Sequence, residues 1–332
     1  MLNAAVIGLG WWGTTIVRSL EGSDKINVVR GVDIDQDAPT AFCAERGLPF
    51  SSSFEDALDD PDVDAVIIAT PHSLHEPMVL AAAAAGKNIF CEKPMALSGG
   101  GAKKMMAACE EKGLVMGIGH ERRFEGAWEE LKRMADAGEL GKILHLELNS
   151  SYNNMAIKPP SGWRQDPAEA PAGAMTALGV HVTDLMLSLA GPVTEVYAHL
   201  NSRSDKFPNE DVLTVQFLFE SGVTASLVNL ATTPFYQRMS IFGDEAWAEA
   251  REISNVDIPD EALLTWRGID MVIHTRTYPW DPSTVERNLH HWADAIAGTA
   301  EYRFTPGQRV QNAQILEAIT ESAAGRKPVA IG

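Results

Sequence analysis

Apolar and polar positions in the first 120 residues alternate between two spacings. Ala4-Ala5-Val6-Ile7 is a short apolar run, and Ile16, Val17 and Leu20 then recur at the spacing of one helix face. Asn27 to Val32 predicts a second strand. Val63 to Ala69 is almost continuously apolar, as a parallel strand buried on both faces should be. An alanine-rich helix over Pro77 to Ala85 closes at Gly86, and Asn88 to Cys91 reads as the next strand. Ala102 to Lys112 predicts a helix that stops at Gly113, and Leu114 to Gly119 predicts one more strand. The repeated strand–helix order predicts an α/β, doubly wound parallel sheet with helices on both faces.

The pattern changes after Arg123. An amphipathic helix over Trp128 to Ala137 ends at Gly138. Alternating strands follow at Ile143–Asn149, Val193–His199, Val212–Phe219, Val223–Leu230 and Arg238–Phe242. Ser221-Gly222 supplies a turn, so Val212 to Leu230 predicts a hairpin. Helical spacing recurs at Met175–Leu189, Val285–Ala297 and Gly307–Ala324. The expected organisation is a dinucleotide-binding domain over 1–121 and an α+β domain over 122–332 with a large, open, mostly antiparallel sheet. A chain of 332 residues is long enough for two cores.

Composition narrows the partners. Apolar content of 45% with 22% charged residues describes a globular chain. A net charge of −18 argues against nucleic acid or a membrane surface, which call for clustered Lys and Arg. The longest apolar stretch, Met78 to Ala85, is too short to cross a bilayer, and a strand beginning by residue 4 leaves no room before it for a secretory leader. Cys43, Cys91 and Cys109 form no paired spacing, which suits a reducing cytoplasm.

The most informative stretch is Gly8-Leu9-Gly10-Trp11-Trp12-Gly13, set between the first strand and the first helix. Gly8 permits the tight turn, Gly10 lets backbone approach a pyrophosphate, and Gly13 lets helix and strand pack closely. Backbone N–H groups at the helix start then face the phosphates. Asp33 ends the second strand about 20 residues on, where a partner for the ribose 2′-OH is expected, and its charge disfavours a 2′-phosphate. NAD is therefore the expected cofactor ahead of NADP.

Two more motifs sit at predicted strand ends. Thr70-Pro71-His72-Ser73-Leu74-His75 follows one, where a cofactor crevice lies in such sheets. His72, His75 and Glu76 also admit a metal reading, but no further ligand has a matching spacing. Glu92-Lys93-Pro94 follows another. There Lys93 can stabilise alkoxide charge on a substrate oxygen, and Pro94 is a candidate cis peptide. Gly179, His181 and Asp184 lie in an apolar helical pattern, with His181 and Asp184 three apart on one face. Arg164 is a candidate anion-binding group, with a surface role equally open.

Gly8-x-Gly10-x-x-Gly13, Glu92-Lys93-Pro94 and Gly179-x-His181-x-x-Asp184, in that order, resemble the Gfo/Idh/MocA family of NAD(P)-dependent oxidoreductases. Thr70-Pro71 with His75, and Gly138-Glu139-Leu140-Gly141-Lys142, add to the resemblance, which covers nearly the whole chain. It implies an NAD-binding Rossmann domain and a second domain whose sheet joins subunits into a homodimer or homotetramer. The small-molecule substrate it implies is a sugar, cyclitol or related polyol. It implies that Lys93 is catalytic and His181 a general acid/base. Gly8, Gly10, Trp11, Trp12, Gly13, Asp33, Thr70, Pro71, His75, Glu92, Lys93 and Pro94 are the expected cofactor contacts. Lys93, Arg164, His181 and Asp184 are the expected substrate contacts, and no metal is expected.

One position departs from that pattern. Many relatives carry aspartate four residues before the histidine, and Ala177 stands there. Thr176, Asp184 and His120 are candidate replacements. In the oxidative direction His181 takes the hydroxyl proton while Lys93 hydrogen-bonds the same oxygen. Two alternatives stay open: a redox-neutral enzyme that borrows and returns the hydride, and a non-catalytic NAD-binding sensor.

Overall fold

The computed structural model describes residues 1–153, 162–207, 209–252 and 260–332. Residues 154–161, 208 and 253–259 lie outside the described residues. The chain divides into two compact units, Met1–Glu121 with Ser283–Val310, and Arg122–Pro282 with Gln311–Gly332.

The first unit is built on a six-stranded sheet. Its strands are β1 (Leu2–Ile7), β2 (Ile26–Val32), β3 (Phe50–Ser51), β4 (Ala65–Ile68), β5 (Asn88–Cys91) and β6 (Met116–Ile118). They lie in the order β3-β2-β1-β4-β5-β6, and every pair is parallel. Strand order reverses between β1 and β4, so the crevice outside their carboxyl ends is the natural ligand site of this topology. The crossover helices are α1 (Trp11–Ser19), α2 (Asp37–Glu45), α3 (Glu55–Leu58), α4 (His75–Ala84) and α5 (Gly99–Glu111). All four residues of β4 are fully buried, which explains its unbroken apolar run.

Residues 283–310 follow eight of the second unit's nine strands in sequence yet belong to the first unit. The helix Thr284–Ile296 explains this. Its Val285, Leu289 and Trp292 enter the same apolar cluster as Val6, Ile16 and Phe90. Trp292 is fully buried, meets the Phe90 ring edge-on at 5.5 Å, and donates its indole N–H to the Val115 carbonyl at 3.0 Å. Gly117 makes room for that indole, since a Cβ there would lie 2.8 Å from it.

The second unit holds nine strands: β7 (Ile143–Ser151), β8 (Val193–Asn201), β9 (Val212–Phe219), β10 (Thr224–Leu230), β11 (Tyr236–Gly243), β12 (Ala246–Glu252), β13 (Ala262–Gly268), β14 (Ile273–Tyr278) and β15 (Val329–Ala330). Their order is β14-β13-β12-β11-β7-β10-β9-β8-β15. All neighbours are antiparallel except β7 and β10. The expected hairpin is β9–β10, closed by the Gly222 N–H on the Phe219 carbonyl. One face is apolar and buried through Leu146, Leu148, Val215, Leu227, Met239 and Ala250.

Two helices of this unit, α6 (Gly126–Asp136) and α7 (Val180–Ala190), bury Trp128, Leu131 and Met134, and every residue from Val180 to Leu187. The helix expected from Met175 to Leu189 is not uniform. Met175–Gly179 forms a π-helical turn, and α-helical winding begins at Val180. The wider turn breaks the four-residue relation that would put Ala177 and His181 on one face.

Candidate active site

The strand ends of the first unit converge on the glycine turn. Gly8 has φ +90°, and a Cβ there would lie 2.7 Å from the Ala69 carbonyl oxygen just past β4. A Cβ on Gly13 would overlap the Gly8 carbonyl oxygen, so α1 packs on the turn only because that atom is missing. Gly10 differs from both. It has an ordinary φ of −65°, and a Cβ there would meet nothing within 4 Å. Gly10 also caps α1 without a side chain, so nothing of its own covers the first N–H groups of the helix. Open space over a helix N-terminus is what a pyrophosphate requires.

Asp33 stands just past β2 with its carboxylate fixed by backbone. One oxygen accepts the Leu9 N–H at 2.6 Å and the other the Asp35 N–H at 2.9 Å. Each carboxylate oxygen retains a lone pair for a sugar hydroxyl. The turn, the capless helix and Asp33 thus fit a dinucleotide with a free 2′-OH.

His75, fully buried at the start of α4, ties two of these segments together. Its Nδ1 lies 2.9 Å from the Pro94 carbonyl oxygen and its Nε2 3.0 Å from the Thr70 carbonyl oxygen. The ring therefore clasps the segments that follow β4 and β5. Glu76 pairs with Lys104 at 3.2 Å. Among the described residues no cluster of His, Cys, Asp and Glu is arranged to hold a metal ion.

Glu92 and Lys93 follow β5, and the Lys93–Pro94 peptide is cis. Lys93 is half-buried. Glu92 is 6% exposed, and its carboxylate accepts the Lys93 backbone N–H at 3.2 Å. It also packs against Gly119, past β6, so closely that a Cβ there would overlap it. Burial, and then the neighbouring charge of Glu121, push its pKa up to about 8. The Trp12 indole N–H makes no hydrogen bond of ordinary geometry, yet it lies near enough, with the Lys93 ammonium, to oppose that rise. Trp11 is 62% exposed, its ring 5.4 Å from that of Trp12.

In the second unit His181 and Asp184 are buried on the first turns of α7. Asp184 is held by Arg123, whose Nε donates to Oδ2 at 2.6 Å and whose terminal nitrogen donates to Oδ1 at 2.6 Å. The same nitrogen donates to the Asp184 main-chain carbonyl at 3.2 Å. Asn312 holds the helix start, donating to the Val180 carbonyl at 3.0 Å. Arg122 and Trp128 both donate to the buried Glu252 carboxylate. Arg164 is exposed and stacks over the Trp163 ring at 4.2 Å.

The structure thus gathers Gly8, Gly10, Gly13, Trp12, Asp33, Thr70, His75, Glu92, Lys93 and Pro94 around the strand ends of one sheet. The roles of Arg123 and Asn312 escape sequence reasoning. Arg123 lies 61 residues from Asp184 and Asn312 lies 132 from Val180, and no local spacing links either pair. The doublet Arg122-Arg123 next to an apolar segment was the one available signal.

Residues 2–120 match a family model described as an oxidoreductase family with an NAD-binding Rossmann fold. Residues 128–249 match the GFO/IDH/MocA C-terminal domain. An uncharacterized oxidoreductase, YrbE, of Bacillus subtilis is 25% identical over 98% of this chain and 95% of its own length. The scyllo-inositol 2-dehydrogenase (NAD(+)) of the same organism is 29% identical over 74% of this chain and 72% of its own. The crystal structure of an aldose-aldose oxidoreductase from Caulobacter crescentus, complexed with glycerol, superposes with a TM-score of 0.88 at 26% identity, covering 99% of both chains.

Proposed function

The chain belongs to the GFO/IDH/MocA family of NAD-binding oxidoreductases, and on that premise we propose that it moves a hydride between nicotinamide and the carbinol carbon of a sugar, cyclitol or related polyol. Its cofactor is NAD, and its class is that of dehydrogenases acting on CH–OH groups. The observation that carries the reading is the convergence of the open glycine turn, the anchored Asp33 and the Glu92-Lys93-Pro94 segment at the carboxyl ends of one parallel sheet.

Bound NAD supplies the hydride acceptor. The open turn at Gly10 receives its pyrophosphate, and Asp33 accepts a hydrogen bond from its ribose. Thr70 and Pro71 form the wall of the crevice, and the fully buried His75 shapes it from behind by holding the Thr70 and Pro94 carbonyls. Lys93 donates from its Nζ to the substrate oxygen and stabilises the charge that develops there. His181 takes the hydroxyl proton in oxidation and returns it in reduction. Arg164 is the candidate for an anionic or polar substrate group. Asp184, with both oxygens on Arg123, acts as a positioning residue that fixes the first turns of α7 under His181. Ala177 can offer His181 no carboxylate, so the imidazole works from the position these anchors give it.

The test is steady-state nicotinamide absorbance on a panel of sugars and cyclitols with NAD. Turnover is expected with at least one member, with a loss of ~10²–10⁴-fold in kcat in Lys93→Ala and in His181→Ala. Wild-type rates in both variants would reject the roles. A strong preference for NADP would reject the assignment of Asp33.

We also infer self-association through the nine-stranded sheet. Ile269, Met271, Val272 and Ile273, close together in sequence where β13 turns into β14, are 50–82% exposed, and a run of apolar side chains left in water marks an interaction site. Light scattering of the full chain reads its oligomeric state directly. Three buried free cysteines support the reading of a reducing compartment such as the cytoplasm. Among the described residues no helix is long and apolar enough to cross a membrane.

A further inference from the structure

The buried face of the nine-stranded sheet is apolar row by row until the strands end. Leu227, Leu148, Met239 and Ala250 stand side by side on β10, β7, β11 and β12. One row on, the same four strands present Asn229, Ser150, Gln237 and Glu252, all at most 3% exposed. Glu252 is paired, taking hydrogen bonds from Arg122 and Trp128. The Asn229 amide nitrogen donates to the Ser150 main-chain carbonyl, which settles which of its two amide atoms is the acceptor left over. That acceptor, Oδ1, meets no hydrogen-bond partner, and neither do the Ser150 hydroxyl and the two amide atoms of Gln237. Buried polar groups are nearly always paired, so four unmet atoms on three adjacent strands call for a reason. Packing is not that reason, because apolar side chains fill the neighbouring row.

This end of the sheet is also where the helix bearing His181 begins. The π-helical turn and α7 both rest on β7. Ala174, which caps that turn, shares a buried apolar cluster with Ala231, two residues past Asn229. We propose that Ser150, Asn229 and Gln237 recognise the substrate's hydroxyl groups, beside the one that reacts. The inference deepens the reading of the chain as a polyol dehydrogenase and rests on it. Asn229 Oδ1 and Gln237 Oε1 only accept, Gln237 Nε2 only donates, and the Ser150 hydroxyl does both. A ligand hydroxyl donates and accepts, so neighbouring hydroxyls of an uncharged sugar or cyclitol can meet all four atoms. A carboxylate or phosphate would set its charge against two carbonyl oxygens. The row is closed to solvent, so a polyol reaches it only as side chains above it move aside, and no water then competes for its partners. A site of this kind discriminates strongly against an analogue that lacks the paired hydroxyl, which would leave the buried amides unmet.

The experiment is steady-state kinetics of the full-length protein at saturating NAD on the panel of sugars and cyclitols, with scyllo-inositol, levoglucosan and D-glucose among its members. The best of them is compared with analogues that each lack one hydroxyl. Gln237→Met and Asn229→Leu should each raise KM by roughly 10- to 100-fold while kcat stays within ~3-fold, the mark of lost binding that substrate and transition state share. Their NAD dissociation constants should match the wild type. Their urea midpoints should hold or rise, because fewer buried polar atoms are left unmet. One deoxy analogue should be a poor substrate for the wild type yet serve Gln237→Met as well as its parent does, a coupling that a purely structural role would not produce. If either variant fails to fold, Ser150→Ala, which removes a single oxygen, is read by the same KM and midpoint. A KM within ~2-fold of the wild type in the variants that fold, with an unmoved deoxy preference, would overturn the inference and leave the dehydrogenase reading standing. A wild-type protein that binds NAD and turns over no member of the panel would overturn that reading and the inference with it.

Discussion

Gly10→Ala separates cofactor binding from folding more cleanly than any other change in the glycine turn. The added methyl meets nothing within 4 Å, and φ at −65° suits alanine. Loss of chain entropy in the unfolded state favours the variant by ~0.4–1 kcal/mol, and the poorer cap at the start of α1 offsets a few tenths of that. Stability should therefore change by less than about 1 kcal/mol. The methyl does fill the space assigned to the pyrophosphate. A group forced into a filled site costs about 1–3 kcal/mol, so NAD affinity should fall by roughly 5- to 150-fold. Gly13→Ala is the contrast, because its methyl would overlap the Gly8 carbonyl oxygen in the protein without cofactor. It should unfold at lower denaturant before any ligand is added. Urea unfolding reads the first effect and calorimetric titration with NAD the second. Wild-type NAD affinity in Gly10→Ala would refute the placement of the phosphates over this turn, and wild-type stability in Gly13→Ala would refute the close packing of α1 on it.

Three further outcomes follow from contacts elsewhere. Arg123→Ala leaves the buried Asp184 without its bidentate partner and should destabilise by about 3–5 kcal/mol, whereas Arg123→Leu with Asp184→Leu should lose less than that single change, read by urea unfolding. Trp292→Ala removes a fully buried indole and its hydrogen bond to Val115, and should cost about 3–5 kcal/mol in the same assay. Asp33→Ala removes the fixed acceptor at the end of β2 and should weaken NAD, which calorimetric titration of NAD and NADP side by side would show as a narrowed preference.

The first unit was largely readable because its signals are local. An apolar run, a glycine turn and a helical stripe each fit within about ten residues, and the six parallel strands repeat that unit. Strands β12 to β14 escaped the same reading. Ala246–Glu252 is rich in Ala and Glu, which mask a genuine alternation of buried and half-buried positions. Ile273–Tyr278 is exposed on both faces but for its last residue, so it has no alternation to find. The membership of 283–310 in the first unit was hidden because it depends on Trp292 packing against Phe90, a contact without local trace. The site divides in the same way. Gly8, Asp33 and Lys93 sit at strand ends and announce themselves by spacing. The grip of Arg123 on Asp184 and the mutual burial of Glu92 and Glu121 arise only from the fold. Both bear on the groups for which sequence offered chemistry without surroundings.

The central claim is hydride transfer from a carbinol carbon to NAD, and isotope transfer tests it most directly. The best substrate of the sugar and cyclitol panel, deuterated at the carbon that is oxidised, would be incubated with the full-length protein and NAD, and the nicotinamide product analysed by mass spectrometry. The account predicts NADH carrying one deuterium per molecule of ketone formed. Product that keeps its deuterium with no labelled NADH released, or NADH formed without label, would contradict it.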